Sequence, residues 1–315
     1  MMIMSRIVNK KSNTETPSYT LSKRIKQYRL SYAMLLPFAL LFFVFTVLPV
    51  LSSVVLSFTS FDMLRTPKFV GLENYIRLFL YDDIFMIAVK NSILFAILTG
   101  PLGYILSFVF AWFVSELPPK VRSVLTFFLY SPSLAGNVYF IWTFIFSGDR
   151  YGLVNNVLMQ LGFVDDPIQW LTNTDTSFTV VVIVLLWMSM GTGFLSFVAG
   201  FQTIDHSLAE AGALDGIRNR WQEVWYITLP QMVPQLLFGA ILTLSSAFAV
   251  GYQCMALTGF PSTDYSTHTV LLHLLDYGTM RFEMGYASAI AVVLFLVMFI
   301  SWQLISKMLN KLGGD

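Results

Sequence analysis

Long apolar runs separated by polar segments divide most of the chain. Six runs have about 20 predominantly apolar residues, the length at which a helix crosses a roughly 30 Å hydrocarbon core. They cover residues 33–57, 88–114, 123–146, 178–201, 231–257 and 286–306. The pattern predicts an all-α, polytopic membrane protein with six transmembrane helices.

The charge of the segments between the runs alternates and predicts the side on which each lies. Seven basic residues precede residue 30, against the single acid Glu15. Basic residues recur beside the second, fourth and sixth runs, at Lys120, Arg122, Arg218, Arg220, Lys307 and Lys311. The other loops are rich in aspartate. The positive-inside rule therefore predicts that both termini and the loop between runs four and five are cytoplasmic.

Composition supports a chain that lies mostly in the bilayer. Hydrophobic residues make up 56% of its 315 positions and charged residues 12%, whereas about 25% of the residues of a soluble domain are charged. No segment is long enough to form a separate soluble domain. The predicted organisation is a basic cytoplasmic tail (1–32), a first transmembrane helix (33–57), an extracytoplasmic loop (58–87), a core with five transmembrane helices (88–307) that includes a cytoplasmic loop (202–230), and a cytoplasmic tail (308–315).

The loop between runs four and five reads EAGALDGIRNRWQEVWYITLP at 210–230. Asp205 is a candidate N-cap for a short helix that ends near Leu214. Gly216 suits a left-handed helix stop, and the spacing of Asn219 and Gln222 predicts the start of a second helix. A lipid-surface helix is the alternative, but the segment lacks the strongly basic face of such helices. Docking of a cytoplasmic partner is favoured.

Four parts of the chain resemble motifs of a known family of proteins. Glu210-Ala211-Gly212, Gly216 and Ile227-Thr228-Leu229-Pro230 resemble the EAA motif of permease subunits in binding-protein-dependent ABC importers. Gly212 replaces the usual second alanine, and the interval from glycine to proline is one residue longer than the commonest form. Residues 69–75 (FVGLENY), 257–261 (LTGFP) and 285–289 (GYASA) resemble signatures of the maltose-type sugar permeases.

The resemblance implies a multi-subunit importer in the cytoplasmic (inner) membrane of a prokaryote. Its partners would be a second permease subunit, often non-identical, two cytoplasmic ATPase subunits and an extracytoplasmic solute-binding protein that delivers a sugar or oligosaccharide. No nucleic acid is implied. This chain would be a transport subunit without catalytic residues, metal or cofactor, while ATP and Mg would lie on the ATPase subunits. The ATPase-coupling residues would be Glu210, Ala211, Gly212, Asp215, Gly216, Trp221, Leu229 and Pro230.

Uncharged polar residues at bilayer depth are the candidates for a solute pathway, because a sugar offers many hydroxyls and apolar ring faces. Small residues also mediate plain helix packing in lipid, which is the alternative explanation. The candidates are Ser189, Gly193, Ser245, Ser246, Tyr252, Tyr130 and Asn137, with Gly191, Thr192, Gln253 and Ser131 as small or polar neighbours. Import of a polyol or glycerol phosphate, and a membrane scaffold that does not transport, remain alternatives.

Several other classes of protein fit the sequence less well. The predicted spans hold no Asp, Glu or Arg, whereas ion-coupled carriers place ionisable groups there. The chain lacks GxxxxGK[ST] and HExxH, which argues against its own ATP site and against a zinc protease. We expect the histidines at 206, 268 and 273 and the acidic pairs at 82–83 and 165–166 to be solvated loop residues, and Cys254 to be a buried, inert thiol.

Overall fold

The computed structural model describes residues 28–136 and 138–310, and these are almost entirely helical. Within them the only β pairing is an isolated bridge between Thr59 and Phe69. We number the helices α1 (Arg29–Leu56), α2 (Glu73–Leu80), α3 (Asp83–Ser115), α4 (Pro119–Leu134), α5 (Tyr139–Ile145), α6 (Leu153–Gln160), α7 (Thr174–Trp187), α8 (Thr192–Thr203), α9 (His206–Leu214), α10 (Arg220–Gln231), α11 (Val233–Phe248), α12 (Tyr252–Thr258), α13 (Val270–Leu275) and α14 (Met284–Asn310).

Four helical stretches are long and apolar enough to cross a membrane: Arg29–Leu56, Asp83–Ser115, Thr174–Thr203 and Met284–Met308. Two further pairs reach that length only if each counts as one bent span. The pair α4 and α5 is bent by 90°, and the pair α10 and α11 by 83°. The six predicted runs therefore overlap four long stretches and two bent pairs, although α10 belongs to the loop predicted before the fifth run. The all-α membrane fold is confirmed. The predicted sidedness of the termini stays a prediction, and residues 1–27 and 311–315 lie outside the described residues.

The chain divides into two compact units, residues 1–52 and 53–315. In the first unit, α1 contains a π-helical turn at Phe43–Val47, and its most apolar stretch has no buried residue. Apolar side chains such as Phe38 and Phe45 are 66% and 73% exposed. Such a surface suits a helix surrounded by hydrocarbon, because its backbone hydrogen bonds are all internal.

The core of the second unit forms where α3 packs against α7, α8 and α11. Small residues bring these helices close together. A Cβ atom added at Gly103 would lie 2.9 Å from the Cβ of Ser189. The hydroxyl of Ser107, one turn further along α3, donates to the carbonyl of Ser189 at 3.0 Å. The result is a close crossing of α3 over the junction between α7 and α8.

The fifth predicted run is interrupted in the structure. It was expected to continue to residue 257, but α11 ends at Phe248 and α12 begins at Tyr252. Gly251 lies in the break, and a Cβ atom there would meet the side chain of Leu271 at 2.9 Å. Close packing of the chain against Leu271 thus turns the backbone where hydropathy alone predicts a continuous helix.

Candidate functional site

The loop between α8 and α11 folds as the helix, turn and helix that its sequence predicts. The side chain of Asp205 accepts a hydrogen bond from the Ser207 amide at 2.9 Å and caps α9. Gly216 follows α9 with a φ of +100°, the left-handed region that favours glycine. The side chain of Asn219 accepts from the Gln222 amide at 2.8 Å and caps α10. We call residues 205–231 the coupling loop, after the role that the resemblance to the EAA motif implies for it.

Gly212 is the position at which the loop departs from the EAA pattern, and the structure supplies a reason for the glycine. A Cβ atom at Gly212 would lie 2.6 Å from the Cδ1 of Ile227 and 2.9 Å from the Cδ1 of Ile217. An alanine would therefore require the ends of both isoleucines to shift. The glycine lets α9 pack against the isoleucine of the second half of the motif.

One surface of the coupling loop is uncovered within this chain. Glu210 and Ala211 are exposed, and Leu214 is 91% exposed at the end of α9. Trp225 and Tyr226 on α10 are 64% and 67% exposed. Aromatic residues are enriched where proteins bind one another, so this surface has the composition of an interface.

A cavity of about 410 Å³ lies between α3, α4, α7, α8 and α11. Its lining contains no Asp, Glu, Lys, Arg or His among the described residues. The polar lining residues are Thr99, Tyr130, Ser133, Tyr139, Ser189, Thr192, Thr243, Ser246 and Gln253, and the others are small or apolar. The cavity is therefore uncharged, with polar groups on several of its sides.

The hydroxyls of this lining are oriented in a common way. Ser189 donates to the carbonyl of Leu186 at 2.7 Å, and Ser246 donates to that of Leu242 at 2.9 Å. Thr99, Ser133 and Thr243 likewise donate to backbone carbonyls, of Phe95, Met190 and Gly239. A hydroxyl that already donates its hydrogen to a backbone carbonyl still has lone pairs that can accept a hydrogen bond. The cavity thus presents hydrogen-bond acceptors to a ligand rich in O–H donors.

Four of the candidate pathway residues line this cavity: Tyr130, Ser189, Gly193 and Ser246. Two others do not, namely Ser245 and Tyr252. Ser245 and Ser246 on α11 are both exposed, but only Ser246 borders the cavity, because adjacent residues of a helix point about 100° apart. Tyr252 packs its ring edge-on against Tyr139 at 5.8 Å, and its neighbour Gln253 lines the cavity instead. Asn137 lies outside the described residues.

Sequence reasoning missed Thr99, Ser133, Tyr139 and Thr243. Thr243 lies three residues before Ser246, so helical periodicity alone identifies it once Ser246 is chosen. Tyr139 starts a short helix after the 90° bend, and its position depends on that bend. Thr99 lies on α3, and the sequence does not indicate which face of α3 is directed toward the cavity.

A buried polar cluster lies at the opposite end of α3 from the coupling loop, and it corrects two expectations. His268 and His273 are only 2% and 1% exposed, so they are not solvated loop residues. The Nε2 of His273 lies 3.0 Å from a carboxylate oxygen of Asp82, to which the Tyr286 hydroxyl also donates at 2.7 Å. Asp82 also caps α3. Asp82 lies more than 180 positions from His273 and Tyr286 in sequence, so the position of the histidines in a loop did not indicate their burial.

The cluster shifts the pKa values of its members. Burial, reinforced by the neighbouring His273, lowers the pKa of His268 to about 4. Burial also lowers the pKa of His273, against the opposing effect of the Asp82 carboxylate. For Asp82 burial acts upward, yet hydrogen bonds from Tyr286 and the Phe85 amide bring its pKa below the usual value. The Nδ1 atom of His268 has no hydrogen-bond partner among the described residues.

We expect this cluster to make stability depend on pH. The pKa of His268 is about 4 in the folded chain, whereas the pKa of a histidine in an unfolded chain is about 6.5. Stability from His268 is therefore fully present above pH 6.5 and is lost as the pH falls toward 4, because the unfolded chain takes up the proton first. The loss is at most about 3 kcal/mol. Thermal unfolding in detergent should show a Tm that falls by several degrees over this window.

The control for the pH prediction is His268→Gln, which removes the titrating group. Its Tm should depend less steeply on pH between 6.5 and 4 than that of the wild type. Equal slopes in the two proteins would assign the pH dependence to other groups.

Comparisons with known proteins agree with this geometry. The chain is 31% identical over 286 residues to the probable ABC transporter permease protein YesP of Bacillus subtilis (strain 168), covering 88% of this chain and 89% of that protein. It is 29% identical to the lactose transport system permease protein LacF of Rhizobium radiobacter, covering 81% and 85%.

Solved structures show the same fold. One chain of a bacterial alginate ABC transporter, crystallised with its alginate pentasaccharide-bound periplasmic protein, superposes with a TM-score of 0.76. The match covers 94% of this chain and 99% of the other, at 22% sequence identity. Residues 92–311 match the family model of the binding-protein-dependent transport system inner membrane component. This chain belongs to that family of inner membrane transport permeases.

Proposed function

We propose that this chain is one permease subunit of an ATP-driven importer that translocates a sugar or oligosaccharide delivered by an extracytoplasmic binding protein. The observation that carries the proposal is that α8 joins the cavity to the coupling loop. Gly193 at the start of α8 lines the cavity, and the helix ends at Thr203, directly before the coupling loop. A helix of 12 residues rises about 18 Å. A displacement of the loop therefore reaches the cavity through one rigid element.

The helix that follows the loop, α11, also lines this cavity. Helix α10 turns by 83° into α11, and α11 contributes Thr243 and Ser246 to the lining. The cavity is thus bounded by the two helices that leave the loop in either direction. Rigid-body movement of the loop would change the distance between them, as alternating access requires.

The chemistry of the cavity favours an uncharged polyhydroxylated solute. Its serine and threonine hydroxyls present acceptors to ligand O–H groups, and the rings of Tyr130 and Tyr139 provide flat apolar surface. The lining described here has no cation, so a glycerol phosphate or an acidic sugar would need its charge neutralised by another subunit. Relatives named for lactose and for arabinooligosaccharides agree with a sugar.

The exposed surface of the coupling loop supports an ATPase partner. Leu214 is almost fully exposed beside the exposed Glu210 and Ala211, a surface that costs free energy in water unless it is covered. We assign it to an ATPase subunit, with a second permease completing the pathway. ATP and Mg then act on the ATPase, and this chain contributes binding and movement only.

The test is ATP hydrolysis in proteoliposomes that hold this chain with its neighbouring permease and ATPase. Candidate sugars are scanned with and without the cognate binding protein. We expect hydrolysis to rise several-fold only when both binding protein and the right sugar are present, with uptake of the sugar. Stable assembly without any response to ligand would favour a scaffold, and failure to recruit an ATPase would contradict the coupling-loop assignment.

A further inference from the structure

The coupling loop is joined to the bundle by side chains as well as by its own backbone. Its backbone continues into α8 and α11, but α3 is distant from it in sequence. Two side-chain contacts nevertheless connect the cytoplasmic end of α3, as its charges predict, to the start of α10. We call these contacts the α3–loop link; they pair Trp112 with Trp221 and Glu116 with Arg220.

The aromatic half of the link is the stronger. The rings of Trp112 and Trp221 meet edge to face, with centroids 5.2 Å apart and planes inclined by 69°. Such pairs are attractive beyond the area they bury. Trp112 is 9% exposed and Trp221 is 70% exposed. Trp112 is therefore held by its surroundings on α3, and the exposed Trp221 packs against it.

The ionic half fixes the orientation of α10. The guanidinium of Arg220 lies 3.2 Å from the carboxylate of Glu116, just beyond the end of α3. The same guanidinium pairs with Glu223 within α10 at 2.8 Å. Arg220 is largely exposed, so the pair alone contributes little free energy. The pair instead constrains the orientation of α10, because the planar guanidinium of Arg220 on α10 is bound to Glu116 at the end of α3.

These contacts are confined to a few side chains. A cavity of about 300 Å³ lies beneath them, lined by Trp112 and Glu116 from one side and by Arg220, Val224 and Thr228 from the other. The loop is therefore not packed continuously onto α3. Apart from its packing against α8 and α11, α3 is joined to the loop by these two contacts.

Helix α3 extends from these contacts to every other site in the second unit. Its 33 residues rise about 50 Å. Near its middle α3 contributes Thr99 to the solute cavity. Its first residue follows Asp82, whose carboxylate belongs to the buried polar cluster with His273. No other helix described here touches all three places.

We propose that Trp112 and Glu116 are positioning residues that make α3 follow the coupling loop, so that α3 moves with α8 and α11 when the ATPase acts. The proposal rests on the proposed function, since it assumes an ATPase that moves the loop. It adds a third driven helix to the two that leave the loop directly. Neither Trp112 nor Glu116 lies in the EAA motif, although Trp112 contacts Trp221, one of the candidate ATPase-coupling residues.

The experiment measures molecules of sugar taken up per ATP hydrolysed, in proteoliposomes of the whole complex. Trp112→Ala should lower this ratio about three- to ten-fold, the range expected for the loss of one aromatic pair. Trp112→Phe keeps an aromatic edge and should restore most of it. Trp302→Ala removes an aromatic contact that lies within α14, between Phe299 and Trp302, and its ratio should equal that of the wild type.

A double variant, Glu116→Cys with Arg220→Cys, tests whether the two elements move together. Cys254 is the chain's single cysteine and is fully buried, so a flexible bifunctional thiol reagent can be directed to the new pair. Reduced, the double variant should show a lowered ratio. Cross-linked, it should recover toward the wild type, because a covalent bond replaces the lost contact.

The outcomes separate the two proposals. The response of the wild-type complex to binding protein and sugar tests the proposed importer. The ratios of the variants test the α3–loop link. An unchanged ratio in Trp112→Ala and in the reduced double variant would overturn the link, and so would a cross-link that stops uptake, because the two elements would then have to separate during the cycle.

Discussion

Gly216→Pro is expected to reduce sugar uptake at least ten-fold while the chain still inserts and is recovered from the membrane in normal amounts. Gly216 has a φ of +100°, whereas proline fixes φ near −65°. Proline also disfavours the helical conformation of the residue before it, and Asp215 has a φ of −80° and a ψ of 3°. The turn between α9 and α10 would therefore re-form with a different direction.

The matched control for this prediction is Gly216→Asn. Asparagine enters the left-handed region more readily than most residues, and a Cβ atom at this position meets no atom within 4 Å. The asparagine variant should keep most of the uptake. Uptake by Gly216→Pro at the wild-type rate, measured with equal amounts of both proteins in vesicles, would show that the turn does not transmit movement.

The contrast between these two variants explains why the coupling loop could be predicted from sequence. Caps and turns are local: Asp205, Gly216 and Asn219 each act on a backbone group within three residues. The same holds for the apolar runs, since a span of about 20 residues is recognised by composition alone. Local signals therefore gave the all-α fold and the helix–turn–helix of the loop.

Features that depend on distant residues were not predictable in the same way. The bend of 83° before α11 occurs at Met232, which is 1% exposed in the packed core. The burial of His273 depends on Asp82 and Tyr286, which join it only after folding. A histidine between two apolar runs looks the same in sequence whether it is solvated or buried. Its environment is set by tertiary packing.

The residues that line the cavity were predictable from the sequence only in part. Small and uncharged polar residues at bilayer depth identified four of the lining residues, because such residues are distinct within an apolar run. Which of them face the cavity depends on helix rotation, and neighbouring residues such as Ser245 and Ser246 point in different directions. Position along the run therefore located the cavity, but helix rotation determined its lining.

Those two serines provide the second large prediction. Ser246→Trp is expected to lower uptake ten-fold or more, because Ser246 lines the cavity of about 410 Å³ and an indole would occupy much of the space a sugar ring needs. The serine hydroxyl is bonded only within its own helix, to the carbonyl of Leu242 at 2.9 Å, so its removal should not disturb α11. Uptake of labelled sugar at several concentrations measures the effect.

Ser245→Trp is the matched control, with the same change one residue earlier. Ser245 is exposed and outside the cavity lining, and its hydroxyl bonds to the carbonyl of Ile241 in the same way. We expect this variant to keep at least half of the uptake. If both variants lose uptake equally, the defect comes from bulk on α11 rather than from the cavity. If Ser246→Trp alone loses it, while binding-protein-stimulated ATP hydrolysis continues, the solute passes beside Ser246.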